Sequence, residues 1–128
     1  MSGNPSPHTR LEAIQVALSG IWHVLTTQSN ARIHSGFTLA VFLFAWLLKL
    51  PRLEWAILLL TVGLVWAAEI LNTAVEIAVD AISPDYDSKA KMIKDVSAGA
   101  VLFTVLISIL VGLLIFGPHL WTWIKTLY

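Results

Sequence analysis

Apolar and polar positions divide the chain into four helical segments. In the first, residues 10–28, apolar side chains recur at steps of three and four, the period of one helix face. They are Leu11, Ile14, Leu18, Ile21 and Leu25. Polar side chains fall mostly on the other faces, which predicts an amphipathic helix too polar to span a membrane. We expect this helix to lie on the membrane surface, the alternative being a helix packed against its own bundle.

Three longer apolar runs follow, at residues 33–50, 53–82 and 96–117. The first of them has 18 residues, and at about 1.5 Å per residue it reaches roughly 27 Å, enough to cross the hydrocarbon core. We expect Pro51 and Pro84 to end the first and second runs, because a proline inside a helix lacks the N–H for an intrahelical hydrogen bond and its ring clashes with the preceding turn. The pattern predicts an all-α integral membrane protein with three transmembrane helices and an N-terminal surface helix.

Composition agrees with a single membrane domain. The chain has 128 residues, of which 57% are apolar and 12% charged, a mixture richer in apolar side chains than that of soluble domains. The formal charge is zero, so no basic excess points to a nucleic acid partner. The sequence contains no cysteine, which excludes disulfides and thiolate metal sites. Residues 1–7 are small and polar, and we expect no cleaved signal peptide.

Basic and aromatic side chains indicate the orientation. The N-terminal side of a three-span topology carries Arg10, Arg32, Lys89, Lys91 and Lys94, and the other side carries Lys49, Arg52 and Lys125. This bias places the N-terminus in the cytoplasm. Four tryptophans fall near the far side, as an aromatic belt requires. Small side chains on the second and third spans allow close helix contact, so we expect a homo-oligomer.

The second span carries a polar stripe that a lipid-facing helix could not tolerate. At 100° per residue its members fall within an arc of roughly 100° and along about 16 Å of helix. They are Glu69, Asn72, Thr73, Glu76 and Asp80. A carboxylate facing lipid costs several kcal/mol, so the stripe must face other helices or a wet cleft.

The start of the third helix carries a matching set of charges. Lys91, Lys94 and Asp95 are three or four residues apart and share a face. Carboxylates can hold Mg²⁺, a lysine can meet a phosphate, and a buried carboxylate can accept a proton from a hydroxyl. Neither a P-loop nor a glycine-rich dinucleotide turn is present. A second interpretation is a proton- or cation-coupled transport subunit, in which buried carboxylates relay protons.

Four stretches resemble the small prokaryotic integral-membrane diacylglycerol kinases and undecaprenol kinases. They are "NARIH", "RLEWA", "AEILNTAVEIAVD" and "SPDYDSKAKMIKDVSAGAVL". The resemblance implies a homotrimer of three-span subunits in a bacterial inner or plasma membrane, with active sites between neighbouring subunits. It also implies transfer of the γ-phosphoryl group of MgATP to the hydroxyl of a membrane lipid.

The resemblance implies roles for individual residues. Glu69 is the expected general base on the lipid hydroxyl, Asn72 is expected to orient the lipid site, and Glu76 is expected to bind Mg²⁺. Lys94 is expected to contact the ATP phosphates. The remaining expected nucleotide contacts are Arg10, Gln28, Asp80, Tyr86 and Asp95.

Two positions depart from the family pattern. Gln28 stands where the family has a glutamate that shares the metal with Glu76, and a neutral amide is a weaker ligand for a hard cation. An inactive scaffold of the same fold is therefore a third interpretation. Ala98 stands where enteric diacylglycerol kinases have a serine near the acceptor, so it can only line the lipid pocket. With "ARIH", "LEWA" and "SPDYD", Ala98 favours undecaprenol over diacylglycerol as the acceptor.

Overall fold

A computed structural model describes residues 9–128, and it is all-helical apart from short connections. The expectation about a signal peptide concerns residues 1–7, which lie outside the described residues. The helices are α1 (Arg10–Thr27), α2 (Ser29–Leu47), α3 (Arg52–Ile82) and α4 (Ser88–Lys125). The predicted amphipathic segment and the three predicted apolar runs each correspond to one helix.

Helix α1 begins with a capping box. The Thr9 hydroxyl accepts a hydrogen bond from the backbone N–H of Glu12 at 3.2 Å, and the Glu12 carboxylate accepts one from the backbone N–H of Thr9 at 3.1 Å. Val24 is the one buried residue of this helix, while Leu11 and Leu18 are 66% and 59% exposed. Most of the apolar face of α1 is therefore left uncovered by its own chain, which disfavours a helix packed into its own bundle.

The turn between α2 and α3 is a Schellman motif. The Lys49 N–H donates to the carbonyl of Trp46, and the Leu50 N–H donates to the carbonyl of Ala45, both at 3.1 Å. Lys49 has a φ of 54°, a left-handed conformation that costs a non-glycine residue roughly 1–2 kcal/mol. Pro51 then precedes the first residue of α3. The chain reverses direction within four residues, as the proline predicts.

Hydrophobic packing around this turn forms the core of the chain. Ala45 is fully buried, and Leu50, Leu58 and Ile115 are each less than a tenth exposed and pack against it. Leu50 is thus both the last residue of the Schellman motif and a core side chain. The core joins α2, α3 and α4 at one end of the bundle.

Two of the helices extend or shift relative to the predicted runs. Helix α4 begins at Ser88, eight residues before the apolar run, because the Asp87 carboxylate caps it by accepting from the Lys89 N–H at 2.9 Å. It also continues through Pro118 to Lys125. Helix α2 is shifted toward the N-terminus and covers residues 29–47 rather than 33–50, because the turn at Lys49 takes up the last residues of the run.

Within residues 9–128, α3 and α4 are the two helices long and apolar enough to cross a membrane. They pack along each other and are joined by the short segment 83–87. At the far end of the pair, His119 Nε2 lies 2.6 Å from Glu54 Oε2. The polar first turns of α2 lower the mean hydropathy of that helix below that of the other two.

We predict that Leu50→Ala destabilises the protein by about 2 kcal/mol, because it removes the side chain that joins the turn to the core and leaves a cavity. Unfolding of the purified protein in mixed detergent micelles, titrated with a denaturing detergent, measures the change. Leu53→Ala is the matched control, since Leu53 is 73% exposed just beyond the same turn. Equal stability losses in the two variants would contradict the prediction.

Candidate active site

The deeper part of the polar stripe of α3 lies inside the bundle, whereas Glu76 is half-buried and Asp80 is exposed. Glu69, Asn72 and Thr73 are 2%, 7% and 1% exposed, so the helix turns this face toward its neighbours, as the cost of a lipid-facing carboxylate requires. The Thr73 hydroxyl donates to the backbone carbonyl of Glu69 at 3.0 Å. The Asn72 Nδ2 donates to Glu76 Oε1 at 3.1 Å. The second of these bonds holds the Glu76 carboxylate against α3, and the first satisfies the Thr73 hydroxyl within the helix.

A cavity of about 260 Å³ lies beside the stripe, between α2, α3 and α4. We call it the inner cavity. It is lined by Asn30, Glu69, Asn72, Glu76, Ala98, Val101, Leu102 and Val105. The structure therefore brings together all the residues that the sequence assigned to the lipid site. The wall formed by α4 is apolar, and the carboxylates and amides come from α2 and α3.

Two residues that line this cavity each have a buried polar atom that lacks a hydrogen bond. Among residues 9–128, neither Glu69 Oε2 nor Asn72 Oδ1 has a hydrogen-bond partner. An unsatisfied buried polar group costs about 1–3 kcal/mol, and such groups are rare outside functional sites. Glu69 Oε2 does lie 3.5 Å from His34 Nε2 on α2. Both atoms belong to residues that line the inner cavity, which makes this cavity the candidate ligand site.

A second cavity, of about 370 Å³, lies where α3 ends and α4 begins. We call it the outer cavity, and its charged or phenolic lining residues are Asp80, Asp85, Tyr86, Asp87, Lys91 and Lys94. Lys94 forms an ion pair with Asp80, and Lys91 forms one with Asp95. Three residues that were expected to contact the nucleotide, Asp80, Tyr86 and Lys94, line this cavity, and a fourth, Asp95, pairs with Lys91 beside it. The cavity thus has both cationic and carboxylate side chains.

Two of the predicted nucleotide residues lie elsewhere in the chain. Gln28 connects α1 to α2, and its side chain makes no capping hydrogen bond. Arg10 begins α1, about 27 Å along the helix from Gln28. Neither residue lines the inner or the outer cavity. One chain alone therefore assembles the lipid-site residues but not the whole predicted nucleotide site.

The oxygen atoms at the inner cavity suit a hard cation only in part. Carboxylate and amide oxygens are the side-chain ligands that Mg²⁺ accepts, and Glu76 and the unpaired Oδ1 of Asn72 offer them. Within the described residues, however, no group of three histidine, cysteine or acidic side chains could hold a metal ion. Mg²⁺ characteristically keeps waters and substrate phosphates in its shell. The donor set fits a cation that arrives with ATP better than one held permanently.

The largest cavity, about 650 Å³, is at the opposite end of the bundle. It is lined mainly by apolar and aromatic side chains of α2 and α4, together with Lys49 and His119, and no carboxylate side chain lines it. Size alone would select it as the site. The buried carboxylates and unpaired oxygens instead select the smaller inner cavity.

Sequence reasoning missed the two residues of α2 that reach the stripe of α3. Asn30 lines the inner cavity, and His34 contacts Glu69. The spacing of the histidines along the sequence does not indicate a metal site and gives no other sign of a role for His34. The tight turn at Lys49 could have indicated the contact between His34 and Glu69. Two antiparallel helices joined by a short turn bring residues at similar distances from that turn to the same depth.

Comparison with known proteins identifies the family of the chain. The family described as prokaryotic diacylglycerol kinase matches residues 15–116 of the chain. An undecaprenol kinase of Bacillus subtilis is 41% identical over 101 residues, which cover 79% of this chain and 82% of that protein. A diacylglycerol kinase of Synechocystis sp. is 40% identical over 103 residues, covering 80% of this chain and 59% of that protein.

A diacylglycerol kinase of Escherichia coli is 31% identical over 81 residues, covering 63% of this chain and 66% of that protein. The family match includes α2 and α3, most of α4 and every residue that lines the inner cavity. The chain therefore belongs to the prokaryotic diacylglycerol kinase family.

Proposed function

We propose that the protein is a membrane lipid kinase, which transfers the γ-phosphoryl group of ATP to the hydroxyl group of undecaprenol or diacylglycerol. The observation that carries the proposal is the buried Glu69, a carboxylate that is not fully hydrogen-bonded and that lines a cavity bounded on one side by apolar residues of α4. A lipid alcohol has a group that suits the carboxylate and a group that suits the apolar wall. Its hydroxyl can donate to the carboxylate, and its hydrocarbon can contact Val101 and Val105.

In the proposed reaction, Glu69 accepts the proton of the lipid hydroxyl as the oxygen attacks the γ-phosphorus. The hydroxyl oxygen forms the new bond to phosphorus, and the bond to the β,γ-bridging oxygen breaks with its electrons left on ADP. Asn72 orients the site by holding Glu76 through its Nδ2. Burial of the base excludes water, which would otherwise compete for the phosphoryl group.

The outer cavity is the proposed place for the nucleotide. Lys94 exchanges its contact with Asp80 for the phosphates, while Tyr86 and Asp95 complete the surroundings of the nucleotide. When bound with ATP, Mg²⁺ neutralises charge on the phosphate oxygens. Glu76 lies about 10 Å along α3 from Glu69 and is the side chain placed to hold the cation. Phosphoryl transfer depends mainly on positioning and charge neutralisation, so no P-loop is required.

A homotrimer with three spans per subunit is the proposed assembly in a bacterial inner or plasma membrane. Helices α2, α3 and α4 cross the membrane, α1 lies on its surface, and the N-terminus is cytoplasmic. Two observations support neighbouring subunits in the site: Arg10 and Gln28 lie apart from both cavities, and the apolar face of α1 is largely uncovered. A neighbouring copy can bring its own Arg10 and Gln28 to the site, and it can cover the apolar face of α1.

A proton- or cation-coupled transport subunit is the competing function, and the structure of α3 disfavours it. A relay across the membrane needs polar groups that continue from Glu69 to the far end of the helix. Between Trp55 and Ala68, Thr61 is the only hydroxyl-bearing residue. Its hydroxyl donates to the backbone carbonyl of Ile57 at 2.7 Å, so it is engaged within its own helix.

We predict that the purified protein, given ATP and Mg²⁺, phosphorylates undecaprenol in preference to diacylglycerol. Ala98 at the wall of the inner cavity favours the less polar acceptor, since it offers no hydroxyl to a glycerol backbone. Labelled ATP with an equimolar mixture of the two lipids in one micelle reports both the activity and the preference. Label in neither lipid would contradict the kinase itself and would favour the inactive scaffold.

We predict that Glu69→Gln lowers kcat about 100- to 10,000-fold, the range that general base catalysis contributes. Glutamine keeps the shape of the side chain, so folding and oligomeric state should be unchanged by size-exclusion chromatography and circular dichroism. The control is Glu54→Gln, which neutralises a carboxylate on the same helix, near its first turn. If Glu69→Gln retained more than a tenth of wild-type turnover, Glu69 would not be the base.

We predict that Gln28→Glu lowers the Mg²⁺ concentration needed for half-maximal activity by roughly threefold or more, because a carboxylate binds a hard cation better than an amide does. A magnesium titration at fixed ATP measures it. Gln15→Glu adds the same charge to the exposed surface of α1 and serves as the control. An unchanged titration curve for Gln28→Glu would remove this residue from the metal site.

A further inference from the structure

One ionisable neighbour of Glu69, His34, has no role in the proposed reaction. The imidazole of His34 on α2 lies with its Nε2 3.5 Å from Glu69 Oε2, the oxygen that lacks a hydrogen bond. The His34 side chain is 18% exposed, whereas that of Glu69 is 2% exposed. The carboxylate thus lies between the inner cavity and a histidine that is less deeply buried than the carboxylate itself.

The position of the imidazole is fixed by aromatic and polar contacts. The ring of Trp66 meets the ring of His34 edge-on, with 6.3 Å between the centroids and 70° between the planes. Trp66 Nε1 in turn donates to the hydroxyl of Thr38 at 3.0 Å. Thr38 is one turn from His34 on α2, and Trp66 is one turn from Glu69 on α3. Two contacts between the same pair of helices therefore hold the imidazole beside the carboxylate.

Other charged groups around Glu69 do not offer an equivalent contact. Helix α4 faces the inner cavity with Ala98, Val101, Leu102 and Val105, none of which titrates. On α3 the neighbouring acid is Glu76, whose Oε1 accepts from Asn72. On α1 the ionisable side chains are Arg10, Glu12 and His23, all exposed. Among the described residues, His34 is the basic group in contact with Glu69.

We propose that His34 is the positioning residue of Glu69 and the acceptor of the proton that Glu69 takes from the lipid hydroxyl. This inference rests on the proposed function of Glu69. With its Nδ1 protonated and its Nε2 free, His34 accepts the proton that the Glu69 carboxyl group acquires, and the imidazolium then releases a proton from Nδ1 to water. Glu69 returns to the carboxylate form that the next turnover needs, and His34 is left with its proton on Nε2. Nδ1 then takes up a proton from water and Nε2 releases one to water, so the starting tautomer is restored and one proton in total has reached the solvent.

A buried base without such an outlet would retain the proton. Glu69 is 2% exposed, so its carboxylate has almost no direct contact with bulk water. His34 lies one turn from Asn30, which lines the inner cavity and is itself exposed. The N-terminal turns of α2 therefore offer a short polar route from the carboxylate to the membrane surface.

Kinetics of three variants tests the proposal. His34→Gln, which keeps an amide near the position of Nε2 but cannot carry a proton, should lower kcat about 10- to 100-fold. The KM values for ATP and for the lipid should change by less than about threefold, because His34 contacts the base and not the substrates. The control is His119→Gln, which alters the histidine contact with Glu54 at the far end of α3 and should leave kcat within about twofold of wild type.

Chemical rescue distinguishes proton acceptance from a structural role. His34→Ala opens a space for an added base, and imidazole in the assay should restore its kcat several-fold, while imidazole should not accelerate His34→Gln or the wild type. A kcat for His34→Gln within about twofold of wild type, an effect confined to the KM for the lipid, or no rescue of His34→Ala would each overturn the proposal.

A spectroscopic measurement tests the contact without turnover. The ring ¹⁵N chemical shifts of His34, which report its tautomer and the hydrogen bond at Nε2, should move when Glu69 is replaced by glutamine. Those of His119 should not. A wild-type protein that phosphorylates neither lipid refutes the proposed function. Unmoved His34 shifts refute the pairing with Glu69 even in an active enzyme, so the two failures are distinguishable.

Discussion

The burial of a carboxylate within a long apolar helix is the constraint on which the rest of this structure depends. Glu69 is 2% exposed in a 31-residue helix that is otherwise apolar enough to cross a membrane. Such a group is tolerated only where other helices cover it and supply polar contacts. The long packing of α4 along α3 and the approach of His34 from α2 both meet this requirement. Thr73, which binds the carbonyl of Glu69, keeps its own hydroxyl satisfied at the same depth.

The polar stripe of α3 then divides the site by depth. Glu69 and Asn72 meet an apolar wall of α4, while Asp80, further toward the end of the helix, meets Lys94 at the start of α4. A hydroxyl attached to a hydrocarbon chain and a highly charged nucleotide prefer opposite ends of this gradient. Because one continuous helix carries both ends, the distance between them is fixed by helix geometry and does not depend on a flexible loop.

Sequence patterns were sufficient for the helices and for the residues that one helix carries. The stripe on α3 and the cations on α4 follow from helical periodicity, and the structure brings Glu69, Asn72, Glu76 and Ala98 to one cavity. The ends of α4 were not predicted, because hydropathy marks the apolar run and ignores a capping residue such as Asp87. Contacts between helices were harder to predict from the sequence than the ends of the helices. That His34 reaches Glu69 depends on the turn geometry, which no single-helix pattern contains.

The Schellman turn at Lys49 has a consequence for how this chain can vary in length. His34 lies about 20 Å along α2 before the turn, and Glu69 lies about 25 Å along α3 after it. Inserting or deleting one residue in either arm would rotate everything beyond it by 100° and shift it by 1.5 Å. Substitutions facing lipid can accumulate between these points, but insertions and deletions cannot. The end of α4 beyond Ile115 carries no residue of the inner or the outer cavity, so the restriction is weaker there, although His119 still has to reach Glu54.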